Sequence, residues 1–290
     1  MNEHAQAERR ESESHSGRPI ALTIAGFDPS SGAGITADLK VFAAHNIYGM
    51  ACITALTIQS TLGVRRVEPV SAETIRETLA CLYDDVTPAG IKIGMLATAE
   101  AVSETARFLA TAGIDRHRVV LDPVIRSSSG RELLSSEGVA RLRSELLAHV
   151  GWITPNLDEL AVLTEEGPLS RAGVPAAAAR LQELAREAGN PTLHVVATGG
   201  HLDRPDDYLL SPDGNAQWLR GERVETQATH GTGCAFSSAL LCELIDGHGA
   251  VKATAGAKGY VTEALRAAYP IGRGKGPMNH LFGGSSLKTR

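Results

Sequence analysis

The sequence predicts an α/β fold, one mainly parallel sheet with helices on both faces and a small antiparallel edge. Three observations carry this. Short β-branched runs alternate with longer amphipathic segments through most of the 290 residues, as strands joined by crossover helices do. No Pro/Gly/Ser stretch is long enough to mark a second domain, and no repeat of fixed period occurs. Two short runs, DYLL and AQWL, read as an antiparallel edge hairpin. The expected organisation is a disordered tail at 1–17 and a single domain at 18–290.

The elements follow in order. IALTIAG is the first strand, and GITADLKVFAAH then sets Ile35, Leu39, Phe42 and Ala43 on one helical face. ACITALTI is a strand, AETIRETLACLYDD a helix and GIKIGM a strand. AEAVSETARFLATAG is a helix, RVVLDPV a strand and SEGVARLRSELLAHV a helix. The strand WIT leads into helices LDELAVLT and PAAAARLQELAREAG, and TLHVVAT is the last long strand. After the edge hairpin, helices at 232–245 and 251–268 close the chain.

Composition excludes several classes. A net charge of −5 gives no nucleic-acid footprint. Residues 41–64 lack Asp, Glu, Lys and Arg, but HNIYG interrupts them and Thr54, Thr57 and Gln59 lie inside, so a helix, a turn and a buried strand fit better than a membrane span. Residues 1–17 contain no apolar run for a signal peptide, and their acids argue against a transit peptide. The cysteines Cys52, Cys81, Cys234 and Cys242 form no C-x-x-C pair or zinc spacing, which suggests free thiols in a reducing, cytoplasmic compartment.

Ligands of open α/β sheets sit at the carboxyl ends of strands, so the loops there are read for phosphate chemistry. GFDPSSGAGITADLK contains Gly32-x-Gly34-x-x-Ala37, a poor dinucleotide fingerprint: its first glycine lies beyond the strand end and no acid occurs between Asp38 and Glu68. No Walker A sequence occurs. THGTGC offers another device. Gly231, Thr232 and Gly233 let the backbone approach a ligand at a helix start, where unsatisfied N–H groups and the helix dipole attract anions. Cys234 shares that field, which predicts a lowered thiol pKa and a base or nucleophile. The spacing equally allows a glycine turn followed by a small buried cysteine.

Other strand ends carry candidates, each with a plainer reading. Asp38 lies within an apolar helix stripe and needs a partner; it is a site acid or one bonded to loop N–H groups. Asn156 and Glu159 share a helix face and could hold a hydrated magnesium, or simply start the helix. Asp122 ends a strand and is a metal- or phosphate-site candidate. Thr198, Gly199 and Gly200 suit close approach of a nucleotide, or a tight turn.

Taken in order, ALTIAGFDPSSGAGITADLKVFAAHNIYGM, ITALTIQST, KIGML, VLDPV, TPNLDE, THGTGC and GKGPMNH resemble the ribokinase-like superfamily. Within it they resemble the hydroxymethylpyrimidine/phosphomethylpyrimidine kinases of thiamine biosynthesis, from about Ile20 to about Phe282. The resemblance implies a ribokinase-like three-layer sandwich, ATP and Mg2+ as cofactors, an aminopyrimidine substrate phosphorylated twice, and a homodimer. It implies that Cys234 takes the proton of the attacking hydroxyl where other superfamily members have Asp. It gives Gln59 the pyrimidine edge, Gly26, Ala33, Met95 and Val124 the ring wall, and Asp38 a place in the same substrate signature. Asn156 and Glu159 fall to the metal, with Asp122 near the phosphates.

Two positions depart from the family. Thr198 and Ser128 stand where lysines are usual, and Arg126 or Lys258 could supply the missing charge. The loop from Arg126 to Glu132 is expected to be mobile when empty and to close over phosphate. A pyridoxal-type kinase on the same fold is the alternative enzyme, and a pyrimidine sensor without turnover is the alternative outside catalysis.

Overall fold

The computed structural model describes residues 17–127, 130–200 and 202–283. The expected tail lies outside them apart from Gly17. The elements are β1 (Ile20–Phe27), α1 (Gly34–Ala44), β2 (Tyr48–Ser60), β3 (Gly63–Pro69), α2 (Ala72–Asp85), β4 (Gly90–Ile93), α3 (Ala99–Ala112), β5 (Val119–Leu121) and α4 (Ser136–Arg141). There follow β6 (Trp152–Ile153), α5 (Leu157–Thr164), α6 (Val174–Glu187), β7 (His194–Ala197), β8 (Asp207–Leu210), β9 (Ala216–Leu219), α7 (Thr232–Ile245) and α8 (Ala250–Arg266).

One sheet runs in the order β3-β2-β1-β4-β5-β6-β7-β8-β9. The strands from β2 through β7 are parallel, while β3, β8 and β9 pair antiparallel at the two edges. Alternation along each strand feeds two cores. Leu22, Ile24, Leu121, Ile153 and Val195 face α2 to α6 on one side. Ala21, Val120, Trp152 and Val196 face α1, α7 and α8 on the other. The three-layer expectation follows directly from this double burial.

Three local readings are corrected. The strand read as ACITALTI extends to the 13 residues of β2 and turns back into β3, which the sequence reading missed. GVRRVEP is polar and ends in proline, which only an edge strand tolerates. The helix expected over SEGVARLRSELLAHV is broken: α4 ends at Arg141, a π turn covers Leu142–Leu146 and a 3-10 turn covers Leu147–His149. Among the described residues, no helix is long and apolar enough to cross a membrane.

Candidate active site

Strand β1 has β2 on one side and β4 on the other, so the chain reverses its direction of travel across the sheet there. The loop after β1 and the start of α7 meet at this point, and Asp28 joins them. Its Oδ1 accepts from Ser30 N at 2.8 Å and Ser30 Oγ at 2.7 Å. Its Oδ2 accepts from Gly32 N at 3.2 Å, Ala33 N at 2.9 Å and His230 Nε2 at 2.8 Å. Burial alone would raise the Asp28 carboxyl, but the His230 and Ser30 hydrogen bonds hold it below its ordinary value.

Gly231 caps α7 with φ +81°, and a Cβ there would stand 1.9 Å from Gly32 O. A left-handed backbone and a touching neighbour both demand glycine. The first-turn N–H groups of α7 have no helical carbonyls to meet, as at any helix start, and Gly231 brings no side chain to cap them. A Cβ on exposed Gly233 would lie 3.7 Å from Asp122 Oδ2, so the helix start opens onto the acid that follows β5. This is the geometry an anion hole needs.

The Cys234 thiol departs from expectation. Burial pushes it up to about 12, and the charges of Asp122 and Asp38 add to the rise. The Lys92 cation and a hydrogen bond from the Gly34 backbone oppose them without prevailing. Desolvation outweighs the helix-start field that the sequence suggested.

Asp38 sits elsewhere than the ring wall. Its side chain is wholly buried and pairs with the equally buried Lys92 at 3.0 Å. Thr23 Oγ1 donates to its Oδ2 at 2.6 Å and Ser238 Oγ to its Oδ1 at 2.8 Å. Burial would strip Lys92 of its proton, yet the charges of Asp38, Cys234 and Asp122 hold it above its ordinary value. The carboxylate on an apolar stripe thus has the partner that it requires. Asp122 accepts from Ser237 Oγ at 3.3 Å, and burial raises its carboxyl despite Lys92.

Asn156 and Glu159 form a capping box: Asn156 Oδ1 accepts from Glu159 N, and Glu159 Oε2 from Asn156 N, each at 2.9 Å. The Asn156 side-chain oxygen is therefore engaged by the helix itself. Burial first, and then the Asp122 charge, push the Glu159 carboxyl up to about 8. Thr198 pairs with Asn156 in a parallel bridge, and Thr198 N donates to Pro155 O at 2.9 Å. Gly200 is exposed, with no atom within 4 Å of where a Cβ would be. Lys258, offered as a source of the missing charge, is engaged within the fold: its Nζ donates to Asp207 Oδ2 at 2.7 Å and Pro205 O at 2.6 Å.

Gly26, Met95 and Val124 lie close together in the structure. A Cβ on Gly26 would meet Met95 Cε at 2.8 Å, and Met95 packs with Ala55, Leu133, Val67 and Val124. Ala33 N is held by Asp28 beside them. A register shift between Ile58 and Gln59 re-aims the Gln59 amide toward Thr57 and His230. Arg126 is exposed and bridges to Glu132 across a turn closed by Ser127 and Arg131. Ser128 and Ser129, on which the expected loop closure depends, lie outside the described residues, as does His201.

A family model described as phosphomethylpyrimidine kinase matches residues 28–279. The chain belongs to the phosphomethylpyrimidine kinase family. It is 39% identical over 259 residues to a hydroxymethylpyrimidine/phosphomethylpyrimidine kinase of Aquifex aeolicus, covering 88% of this chain and 97% of that protein. The thiamine biosynthesis multifunctional protein ThiED of Corynebacterium efficiens is 40% identical over 267 residues, which are 91% of this chain and 35% of that longer protein. An ADP complex of Bacillus subtilis pyridoxal kinase has a TM-score of 0.79 at 31% identity, covering 91% of this chain and 98% of that one. The phosphomethylpyrimidine kinase family and its structural neighbours share the ribokinase-like fold seen here.

Within this phosphomethylpyrimidine kinase architecture, sequence reasoning passed over Asp28, His230, Lys92, Ser237 and Ser238. Asp28 had a local signal, since D-x-S favours a turn closed by the acid's own side chain. Lys92 had one too, as a lone cation inside the apolar strand GIKI. The two serines had none, because only packing brings them to acids 115 and 200 residues away.

Proposed function

We propose that this chain is an ATP- and Mg2+-dependent kinase that phosphorylates 4-amino-5-hydroxymethyl-2-methylpyrimidine, then its monophosphate to the diphosphate, in thiamine biosynthesis. The observation that carries the reading is the glycine start of α7 opening onto Asp122 in a chain of this family. The substrate hydroxymethyl oxygen attacks the transferring phosphorus, its proton passes to Cys234 Sγ, and the nucleoside diphosphate leaves. The N–H groups at Gly231, Thr232 and Gly233 would stabilise the transferring oxygens. The reactive form of Cys234 is the thiolate, a minority form in the resting protein, and Lys92 and Gly34 are the groups that favour it.

The acids fit magnesium. Asp122 and Glu159 are buried carboxyls, and the Asp122 charge raises the proton affinity of Glu159, a repulsion that a cation relieves. They would hold a hydrated ion, with Asn156 orienting Glu159 through the cap. When bound, magnesium supplies charge neutralisation at the phosphates. Thr198 and Gly200 border the space for the nucleotide, and Lys258 steadies it through Asp207, whose Oδ1 accepts from Gly199 N at 2.9 Å. Gln59 would read the pyrimidine edge, and Gly26, Ala33, Met95 and Val124 would wall the ring.

Free thiols at Cys52, Cys81, Cys234 and Cys242 favour a reducing, cytoplasmic setting. Exposed Leu56, Ile58 and Leu62 on the β2–β3 hairpin favour a homodimer. Likeness to a pyridoxal kinase keeps pyridoxal as a second substrate. Glycines and acids intact at the site argue against a sensor without turnover. The test is ATP consumption with the aminopyrimidine, its monophosphate and pyridoxal in parallel, with products resolved by phosphorus NMR. Turnover highest on the pyrimidine and a diphosphate product support the reading. Turnover on pyridoxal alone, or on none of the three, overturns it.

A further inference from the structure

We propose that His230 is a positioning residue that fixes which end of the Gln59 amide accepts and which donates, and so selects ligands by the order of donor and acceptor along their edge. The inference rests on the reading of Gln59 as the pyrimidine contact and deepens it.

Asp28 receives four donors from Ser30, Gly32 and Ala33, a set suited only to a carboxylate. His230 Nε2, 2.8 Å from Asp28 Oδ2, must therefore carry a proton. Gly32 packs against the ring, since a Cβ there would meet the imidazole at 2.4 Å, and the main-chain bond from His230 N to Gly276 O at 3.1 Å anchors the residue. The Gln59 amide is placed with Nε2 at 3.0 Å from this same nitrogen and Oε1 at 3.2 Å from Thr57 Oγ1. That placement sets one donor against another. Half a turn of the amide resolves it. Oε1 then shares the single His230 Nε2–H with Asp28 Oδ2 in a bifurcated bond, and Nε2 donates to Thr57 Oγ1, which itself donates to Phe27 O at 3.0 Å.

The free positions of the amide are thereby ordered, with an acceptor on the His230 side and a donor on the Thr57 side. A 4-aminopyrimidine edge, with an amine beside a ring nitrogen acceptor, pairs with that order. Its 4-oxo analogue, with a carbonyl beside a ring N–H, has the reverse order and leaves both pairs unmade.

The experiment measures affinity for the two ring analogues, and for ADP as a check on folding, in wild type, His230→Leu, His230→Gln and Gln59→Leu. The amino preference should fall about tenfold or more in His230→Leu, the size of one mispaired hydrogen bond, and persist in His230→Gln, which keeps a donor. ADP affinity should hold throughout. Loss of preference in Gln59→Leu but not in His230→Leu overturns the role of His230 alone. An unchanged Gln59→Leu overturns the Gln59 reading as well. Nitrogen NMR of the unaltered protein gives an independent answer: a proton on His230 Nε2 is expected, and a bare Nε2 overturns the proposal whatever the variants do.

Discussion

Ser238 and Asp38 lie 200 residues apart in the chain and share a 2.8 Å hydrogen bond in the core. The adjacent Ser237 reaches Asp122 at 3.3 Å. Two successive hydroxyls thus tether α7 to an acid on α1 and to an acid after β5, and hold its first turn over the site. The tether depends on Lys92, which neutralises Asp38. Lys92→Met should destabilise the protein by about 3–5 kcal/mol, because it leaves a buried carboxylate uncompensated. Adding Asp38→Leu should recover part of the loss. Urea unfolding measures both, and a single variant as stable as wild type would dismiss the pair as incidental.

Cys234→Ala should lower turnover by about 10²–10⁴-fold, the usual cost of removing a general base, with pyrimidine affinity nearly unchanged. Because the thiol is pushed up to about 12, alkylation by iodoacetamide should be slow at neutral pH and accelerate steadily above pH 9. Rapid alkylation of Cys234 at pH 7, distinguished from that of exposed Cys81 by peptide mapping, would show a thiolate in the resting protein and contradict the burial argument.

Glu159 should make stability fall with rising pH. Its carboxyl is raised from 4.5 in the unfolded chain to about 8 in the folded protein, so the native state holds the extra proton. This contribution is fully present below about pH 4.5 and is lost as pH climbs through about 8. Thermal melts from pH 5 to 9 should show the decline, Glu159→Gln should remove most of it, and Mg2+ should oppose it at the upper end. A wild-type profile that is flat through this window would count against a protonated Glu159.

Arg126→Ala should impair phosphorylation of the monophosphate more than phosphorylation of the free alcohol, since the first of these substrates brings a phosphate to be neutralised. Separate kcat/KM values for the two steps decide it. Equal losses, or none, would remove Arg126 from the phosphate clamp and leave it a surface loop cation.

The layered sheet was legible because a strand buried on both faces reads as a short continuous apolar run, as in IALTIAG, and a helix with one buried face keeps the 3.6-residue period, as in GITADLKVFAA. Strand β3 was not, since an edge strand needs no apolar alternation. At the site, Gly231 was legible from its local backbone demand. The N-x-x-E pattern of Asn156 and Glu159 allowed a helix start beside the metal reading, and the structure shows that start as a capping box. The direction of the Cys234 shift was not legible, because burial is a property of what packs over the residue rather than of its neighbours in sequence. Nor was the His230–Gln59 contact, which joins positions 171 residues apart.

The tethers at the start of α7 also govern how the protein is made. Asp28, Asp38 and Asp122 are synthesised before residue 123, whereas His230, Ser237 and Ser238 follow at separations of 202, 115 and 200 residues. At ordinary rates of translation the gap between Asp122 and His230 lasts on the order of ten seconds. Through that interval the emerging sheet carries polar groups whose partners do not yet exist, and one face of β4 and β5 waits for α7 to cover it. Synonymous codons that slow the ribosome between residues 123 and 229 should therefore lower the yield of active protein while leaving every amino acid unchanged.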